Sequence, residues 1–199
     1  MSPPLRISSA PGDEAVDDGP TTATECQRGH VHPSPRPGAG SLRVQLSCPS
    51  QWRDPATAAL AAAGVVVTGD AAVGVSIAPG RTVSATVDDW TVASLPHLLV
   101  AVTSYAVEVG PWAAPGLGPC ARCVAAEVLD EGDPSRLPEV PRALLSLASG
   151  AAARDLGRWA RGELPHTWLT SWRFDHEPVP SARRWQRHPY CGCDWFDTA

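Results

Sequence analysis

Apolar and polar positions are distributed unevenly along this chain. Residues 1–40 repeat Pro, Gly, Ser, Thr and Asp with almost no periodic apolar pattern, so they offer too little burial to offset the entropy of ordering and are predicted to form a disordered tail. From residue 41 to 199 the pattern is that of one globular domain. Leu42-Arg-Val-Gln-Leu-Ser-Cys48 alternates like a strand. Asp54-Pro55 then offers an N-cap and a first-turn proline before the helical Ala56–Ala63, and Gly64 is placed to end that helix. Val65–Val67 and Val73–Ala78 are short apolar runs of the buried-strand kind, and Thr82–Val87 alternates as a further strand. The opening therefore predicts a β-α-β unit.

Leu98–Val102 and Tyr105–Val109 are separated by Thr103-Ser104 and predict a β-hairpin. Leu144, Leu147, Ala148, Ala151, Leu156 and Trp159 recur at helical spacing, which predicts one long helix over 140–161 with Gly162 at its end. Trp168–Phe174 reads as a strand with Trp168, Thr170, Trp172 and Phe174 on one face. The fold class expected is α/β.

Composition narrows the chemistry. The chain has 199 residues, 43% hydrophobic, enough for one domain with a real core. Its net charge of -5 argues against nucleic-acid binding through a general field. Every cation among the 16 Lys+Arg is an arginine, which excludes a P-loop lysine and a Schiff-base lysine. The N-terminus lacks the apolar core of a signal peptide, and no apolar stretch approaches the ~20 residues of a membrane span. A soluble cytoplasmic protein is expected.

Four cysteines form two close couplets, Cys120-Ala-Arg-Cys123 and Cys191-Gly-Cys193. A CxxC on its own fits a redox pair, and paired cysteines in a secreted chain fit disulfides. Two couplets together match a tetrahedral Zn²⁺ site with four protein ligands, which has no open coordination position and staples distant segments rather than catalysing. Cys120, Cys123, Cys191 and Cys193 are thus the expected metal ligands and structural Zn²⁺ the expected cofactor. Cys26, in Cys26-Gln-Arg-Gly-His30-Val-His32, falls in the polar tail and reads as solvated, and Cys48 reads as an inert core thiol.

The flanks of these couplets carry a resemblance. Gly110-Pro111, Pro115-Gly116, Cys120 and Cys123, followed by Asp133-Pro134 and by the closing His188-Pro189-x-Cys191-x-Cys193, resemble the ThiF-like, ubiquitin-activating-type proteins encoded with YcaO cyclodehydratases in azoline-forming peptide pathways. The resemblance spans about residues 42–195. It implies a degenerate Rossmann-like ThiF-type domain closed by the four-cysteine zinc site. It also implies a non-catalytic partner that helps a YcaO-type cyclodehydratase act on a ribosomal precursor (leader) peptide, in bacteriocin-type natural product biosynthesis. No nucleic acid or membrane partner is expected, and a homodimer is a candidate state. Larger family members begin with a winged-helix-like leader-recognition domain, whose place is taken here by the predicted tail. Adenylating relatives carry a Gly-rich nucleotide loop after the first strand, whereas Cys48-Pro-Ser-Gln-Trp52 has no glycine. An adenylating ThiF-like enzyme and a freestanding zinc-stabilised interaction module are the two rival readings.

No Ser-His-Asp or Cys-His signature is recognisable, so no catalytic residue is assigned. His97 reads as a residue at the start of a strand with one ring nitrogen bonded to backbone, and His166 and His176 as surface groups flanking the Trp-rich strand. Six of the eight Trp fall near or after the first couplet: Trp112, Trp159, Trp168, Trp172, Trp185 and Trp195. They serve either a docking face or the core. Arg183-Arg184-Trp185-Gln-Arg187 fits either an acidic partner segment or a solvated flank of the zinc loop.

Overall fold

The computed structural model describes residues 42–114, 117–127, 139 and 141–193. The predicted tail, Cys26, Trp195 and the Asp133-Pro134 segment lie outside the described residues. The first strand, β1 (Leu42–Ser47), is followed by helix α1 (Ser50–Ala62) and strand β2 (Val65–Val67), which lies parallel to β1. This is the expected β-α-β opening. Gly64 ends α1 as foreseen, at φ +82, with its N–H on the Ala61 carbonyl at 2.9 Å.

The start of α1 departs from expectation. Asp54 is not its N-cap and Pro55 not its first residue; the helix begins a turn earlier, after Pro49, and holds Pro55 inside. Burying Ala56 and Leu60 fixes the helix on the sheet, and an opening 3₁₀-type bond from the Trp52 N–H to the Pro49 carbonyl extends it toward the N-terminus.

Strand β3 (Gly74–Pro79) pairs parallel with the other side of β1, and β4 (His97–Val102) continues the parallel set. Between them the expected strand Thr82–Val87 is helix α2 (Ala85–Val92). Ser84 caps it by accepting the Val87 N–H at 3.3 Å, and Val87, Trp90 and Thr91 form the buried helical stripe. A six-residue alternation had the right period for a strand; the cap and the i, i+3, i+4 spacing that followed decide for a helix.

The hairpin is present as β4 and β5 (Val107–Ala113), antiparallel, with Ala106 tied back to Thr103 in the turn. After the short helix α3 (Ala121–Ala126) and the long helix α4 (Arg142–Ala160) come β6 (Thr170–Phe174) and β7 (Ser181–Arg184), both antiparallel additions. Among the described residues the strands make one seven-stranded sheet in the order β2-β1-β3-β4-β5-β6-β7. The chain reverses direction across the sheet between β1 and β3, which makes the carboxyl ends of these strands the topological switch point.

Both faces of the sheet are covered. Leu98 and Val100 join Leu60 of α1 and Ala148, Ala152, Leu156 and Trp159 of α4 in one core, while Leu99, facing the other way, packs with Val87 and Trp90 of α2 and Ala121 of α3. The buried stripe of α4 is shifted from the expected one, so that Leu147 is exposed. Small Ala and Ser side chains let the helix approach the sheet, and Trp159 reaches Trp112 at 4.9 Å between ring centroids.

Candidate metal centre

Both couplets meet beside the second helical layer. Cys120 is the N-cap residue of α3, and Cys123 lies one turn on, so a single short helix directs both sulfurs to one side. The second couplet arrives from β7 through Trp185 and His188, where the Cys191 N–H donates to the His188 carbonyl at 3.0 Å and tightens the turn. The Sγ separations are 3.7 Å for Cys120–Cys123, 3.6 Å for Cys120–Cys191 and 3.5 Å for Cys123–Cys193, and all four sulfurs lie within 4.8 Å of one another. Four ligands at a Zn–S distance of ~2.3 Å stand about 3.8 Å apart at the corners of a tetrahedron. The three short separations stand close to that value, so the four sulfurs could hold such an ion. Cys120, Cys123 and Cys193 are buried and Cys191 is half-buried.

The electrostatics also suit a cation. Cys123 is drawn down to about 4, chiefly because the Cys120 thiol donates to it, with help from the His188 backbone amide. The same bond, with burial, pushes Cys120 far up, and burial followed by the Cys123 sulfur raises Cys193 to about 11. A thiolate is thus favoured at Cys123 and disfavoured at Cys120 and Cys193, because like charges in a buried site oppose each other. A divalent cation at the centre would replace the thiol protons. Outside the cluster, Arg122 forms a two-pronged pair with Asp88 at 2.8 and 3.0 Å and ties α3 to α2.

The flanking motifs have local causes. Gly110 has φ +103, and a side chain there would collide with the Thr170 carbonyl of β6, so glycine lets β5 and β6 come together next to the cis Gly110-Pro111 bond. The Gly118 carbonyl accepts from Arg187 Nε at 3.3 Å, linking the approach to the first couplet with the approach to the second.

Other singled-out residues are not in this cluster. Cys48, at the end of β1, is half-buried and its thiol is pushed up by burial, as suits an inert group. His97 is fully buried, with Nδ1 donating to the Leu95 carbonyl at 2.9 Å. His166 and His176 are solvent-accessible, His166 standing 3.5 Å from the buried Asp155 carboxylate. Trp185 is not an exposed anchor: it is 1% exposed, held between the guanidinium groups of Arg183 at 4.0 Å and Arg81 at 4.7 Å. Trp112 and Trp159 are core, and Trp168 packs against the core from its edge.

A buried polar group that sequence reasoning missed lies under Trp185. Its Nε1 donates to Ser171 Oγ at 2.7 Å, Ser171 donates to Glu108, and Glu108 pairs with Arg81. Alternation alone could have flagged Glu108, a lone carboxylate in the apolar strand Val107–Ala113. Beside Arg81 a small, shallow cleft opens, lined by Ser76, Ala78, Leu99, Ala101, Ala121 and Val124 among others. At the switch point itself, β1 leads into α1 through only Cys48 and Pro49, and Pro49 has no N–H to offer.

No protein-family model matches the sequence, and no curated protein matches it. Solved structures share its fold. A heterocyclase in complex with substrate and cofactor superposes with a TM-score of 0.62 at 15% identity, over 76% of this chain and 25% of that one. The heterocyclase TruD gives 0.61 at 18% identity, over 77% and 27%. Escherichia coli MccB gives 0.51 at 14% identity, over 65% and 45%. The chain thus spans about a quarter of the heterocyclases and less than half of MccB.

Proposed function

We propose that this chain is a zinc-binding, non-catalytic partner of a YcaO-type cyclodehydratase, and that it helps present a ribosomal precursor peptide for azoline formation. The observation that carries the reading is the convergence of Cys120, Cys123, Cys191 and Cys193 in one cluster whose sulfurs could hold a metal ion. If all four sulfurs bind Zn²⁺, the coordination sphere is filled, so the ion braces the connection between α3 and β7 and leaves catalysis to another subunit. The flanking Gly-Pro and His-Pro motifs, together with the fold shared with heterocyclases, support the peptide-modifying setting.

A Rossmann-like ThiF-type topology is part of this proposal. Its parallel β2-β1-β3-β4 core and switch point agree with that class, and the antiparallel β5-β6-β7 extension supplies the framework for the cysteines. The adenylating rival is disfavoured by the Cys48-Pro49 turn, which offers few backbone amides to phosphates. The deciding experiment is reconstitution: the purified chain, a YcaO-type enzyme and its precursor are combined, and azoline formation is followed by the loss of water from the peptide. Stimulated turnover with co-purification supports the partner role; unchanged turnover and no association overturn it.

A further inference from the structure

We propose that the outer edge of β7 is a docking strand for an extended acidic peptide, which adds to the sheet by backbone pairing. Among the described residues β7 is the last strand of the sheet, and its pairing partner is β6 on one side alone. All four of its residues are exposed. The Trp185 N–H donates to the Leu169 carbonyl, which sets the phase of the antiparallel ladder. Backbone groups alternate in such a ladder, so Arg183 and Ser181 point their N–H and C=O toward β6, while Ala182 and Arg184 point theirs away from the sheet. Two donors and two acceptors thus stand at the spacing an added strand would meet.

Charge selects the occupant. The whole chain is acidic, at -5, yet Ser181–Arg187 holds three arginines and no carboxylate. Arg184 is exposed and makes no ion pair among the described residues, whereas Arg183 is already engaged with Glu127 at 3.3 Å and lies over Trp185. Trp185 is fixed beneath by Ser171, so the strand that offers the edge rests on a buried support rather than on a loose tip. A second copy of this chain is a poor occupant, because edge-to-edge pairing would set Arg183 and Arg184 against their own kind. A peptide with Glu or Asp at alternate positions instead gains a cross-strand pair with Arg184 as its backbone pairs with Ala182 and Arg184. The inference deepens the peptide-presenting role and rests on it for the source of the peptide, while the binding itself does not require a YcaO-type enzyme.

The test therefore uses the full zinc-loaded chain alone, with a short fluorescein-labelled peptide of alternating Glu and Thr, followed by anisotropy at low ionic strength. Saturable binding is expected, with roughly tenfold weakening by Arg184→Glu. Ala182→Pro removes one outward N–H without touching the bonds to β6 and should weaken binding as well. The same peptide with methylated backbone amides keeps its charge and loses its donors, and should not bind detectably. Zinc content and circular dichroism of both variants are expected to match the parent, which separates docking from folding. Equal binding of the methylated peptide would reduce the contact to simple charge attraction and overturn strand addition. So would no binding by the parent, or indifference to Arg184→Glu. Self-association abolished by Ala182→Pro, without peptide binding, would assign the edge to a second copy instead. Because no YcaO-type enzyme is present, these failures are independent of whether the chain stimulates turnover.

Discussion

Cys123 Sγ lies 3.5 Å from Cys193 Sγ although 70 positions separate them in the chain. The contact closes a loop that contains α4, β6 and β7, so a metal bound there would constrain the antiparallel half of the domain through the unfolded state as well as the native one.

Purified anaerobically, the chain should carry about one Zn²⁺. Cys123→Ser removes a buried ligand and should abolish stoichiometric metal and lower the melting temperature by ~10 °C or more, since the binding free energy of such sites is folding free energy. Metal analysis and calorimetry check both. A variant that melts with the parent would show that the cluster has no structural role.

The cysteines were legible in the sequence because couplet spacing is a local property, and their convergence follows once each couplet is seen to serve one ion. The helix α4 was legible because its apolar period runs over many residues, although the stripe it buries is shifted and leaves Leu147 exposed, and the hairpin because two apolar runs stand on either side of a brief gap. Thr82–Val87 was misread because six residues of alternation carry little phase information, and the Ser84 cap outweighed them. The role of Trp185 was invisible for a different reason. Its burial depends on Arg81, Ser171 and Arg183, which come from three separate stretches of the chain, and composition cannot distinguish a tryptophan under such a lid from one on a docking face.

Acid sensitivity should arise in part at His97. Burial lowers the affinity of its ring for a proton, and Nε2 has no hydrogen-bond partner among the described residues. Between the lowered native value and ~6.5, the unfolded chain binds the extra proton, so stability rises with pH through that window and is lost as pH falls below about 6.5. The slope from one such group is at most ~1.4 kcal/mol per pH unit. His97→Asn keeps a donor toward the Leu95 carbonyl and removes the titration. Urea midpoints at mildly acidic and neutral pH should differ less for the variant than for the parent; equal differences would remove His97 as a source.

Glycines at two sites should respond in opposite directions. At Gly74, a Cβ would stand 2.7 Å from ring carbons of Trp90, whose indole is fixed by Gln45 at 3.1 Å, so Gly74→Ala forces the ring or β3 to move and should destabilise by ~1–3 kcal/mol. At Gly150, inside α4, a Cβ meets nothing within 4 Å, so Gly150→Ala should stabilise by up to about 1 kcal/mol. Denaturant unfolding of the two variants checks the pair. A stabilised Gly74→Ala would contradict the packing described for α2.

Glu108 and Arg81 are each less than a tenth exposed at the side chain, so the pair is costly to break one-sidedly. Arg81→Met strips the carboxylate of its cation while Ser171 still donates to it, and should cost ~3 kcal/mol or more. Adding Glu108→Gln should recover part of that loss by neutralising the stranded charge. A double variant whose loss equals the sum of the two single losses would mean that the groups do not act as a pair.

Nucleotide chemistry offers the sharpest separation between a partner and an adenylating enzyme. An adenylating site must hold triphosphate near the switch point, where backbone amides and cations neutralise its charge. In this chain β1 passes into α1 through Cys48 and Pro49; Pro49 lacks an amide, and the Trp52 N–H is already committed to the Pro49 carbonyl at 3.0 Å. Nearby, Arg81 is engaged with Glu108, so its charge is offset where a phosphate would need it. The full chain should therefore catalyse no carboxylate-dependent exchange of pyrophosphate into ATP, with or without precursor peptide. Pro49→Gly restores one amide but leaves Arg81 engaged, so it should not create exchange. Carboxylate-dependent exchange by the parent would reverse the assignment and make this chain the activating enzyme.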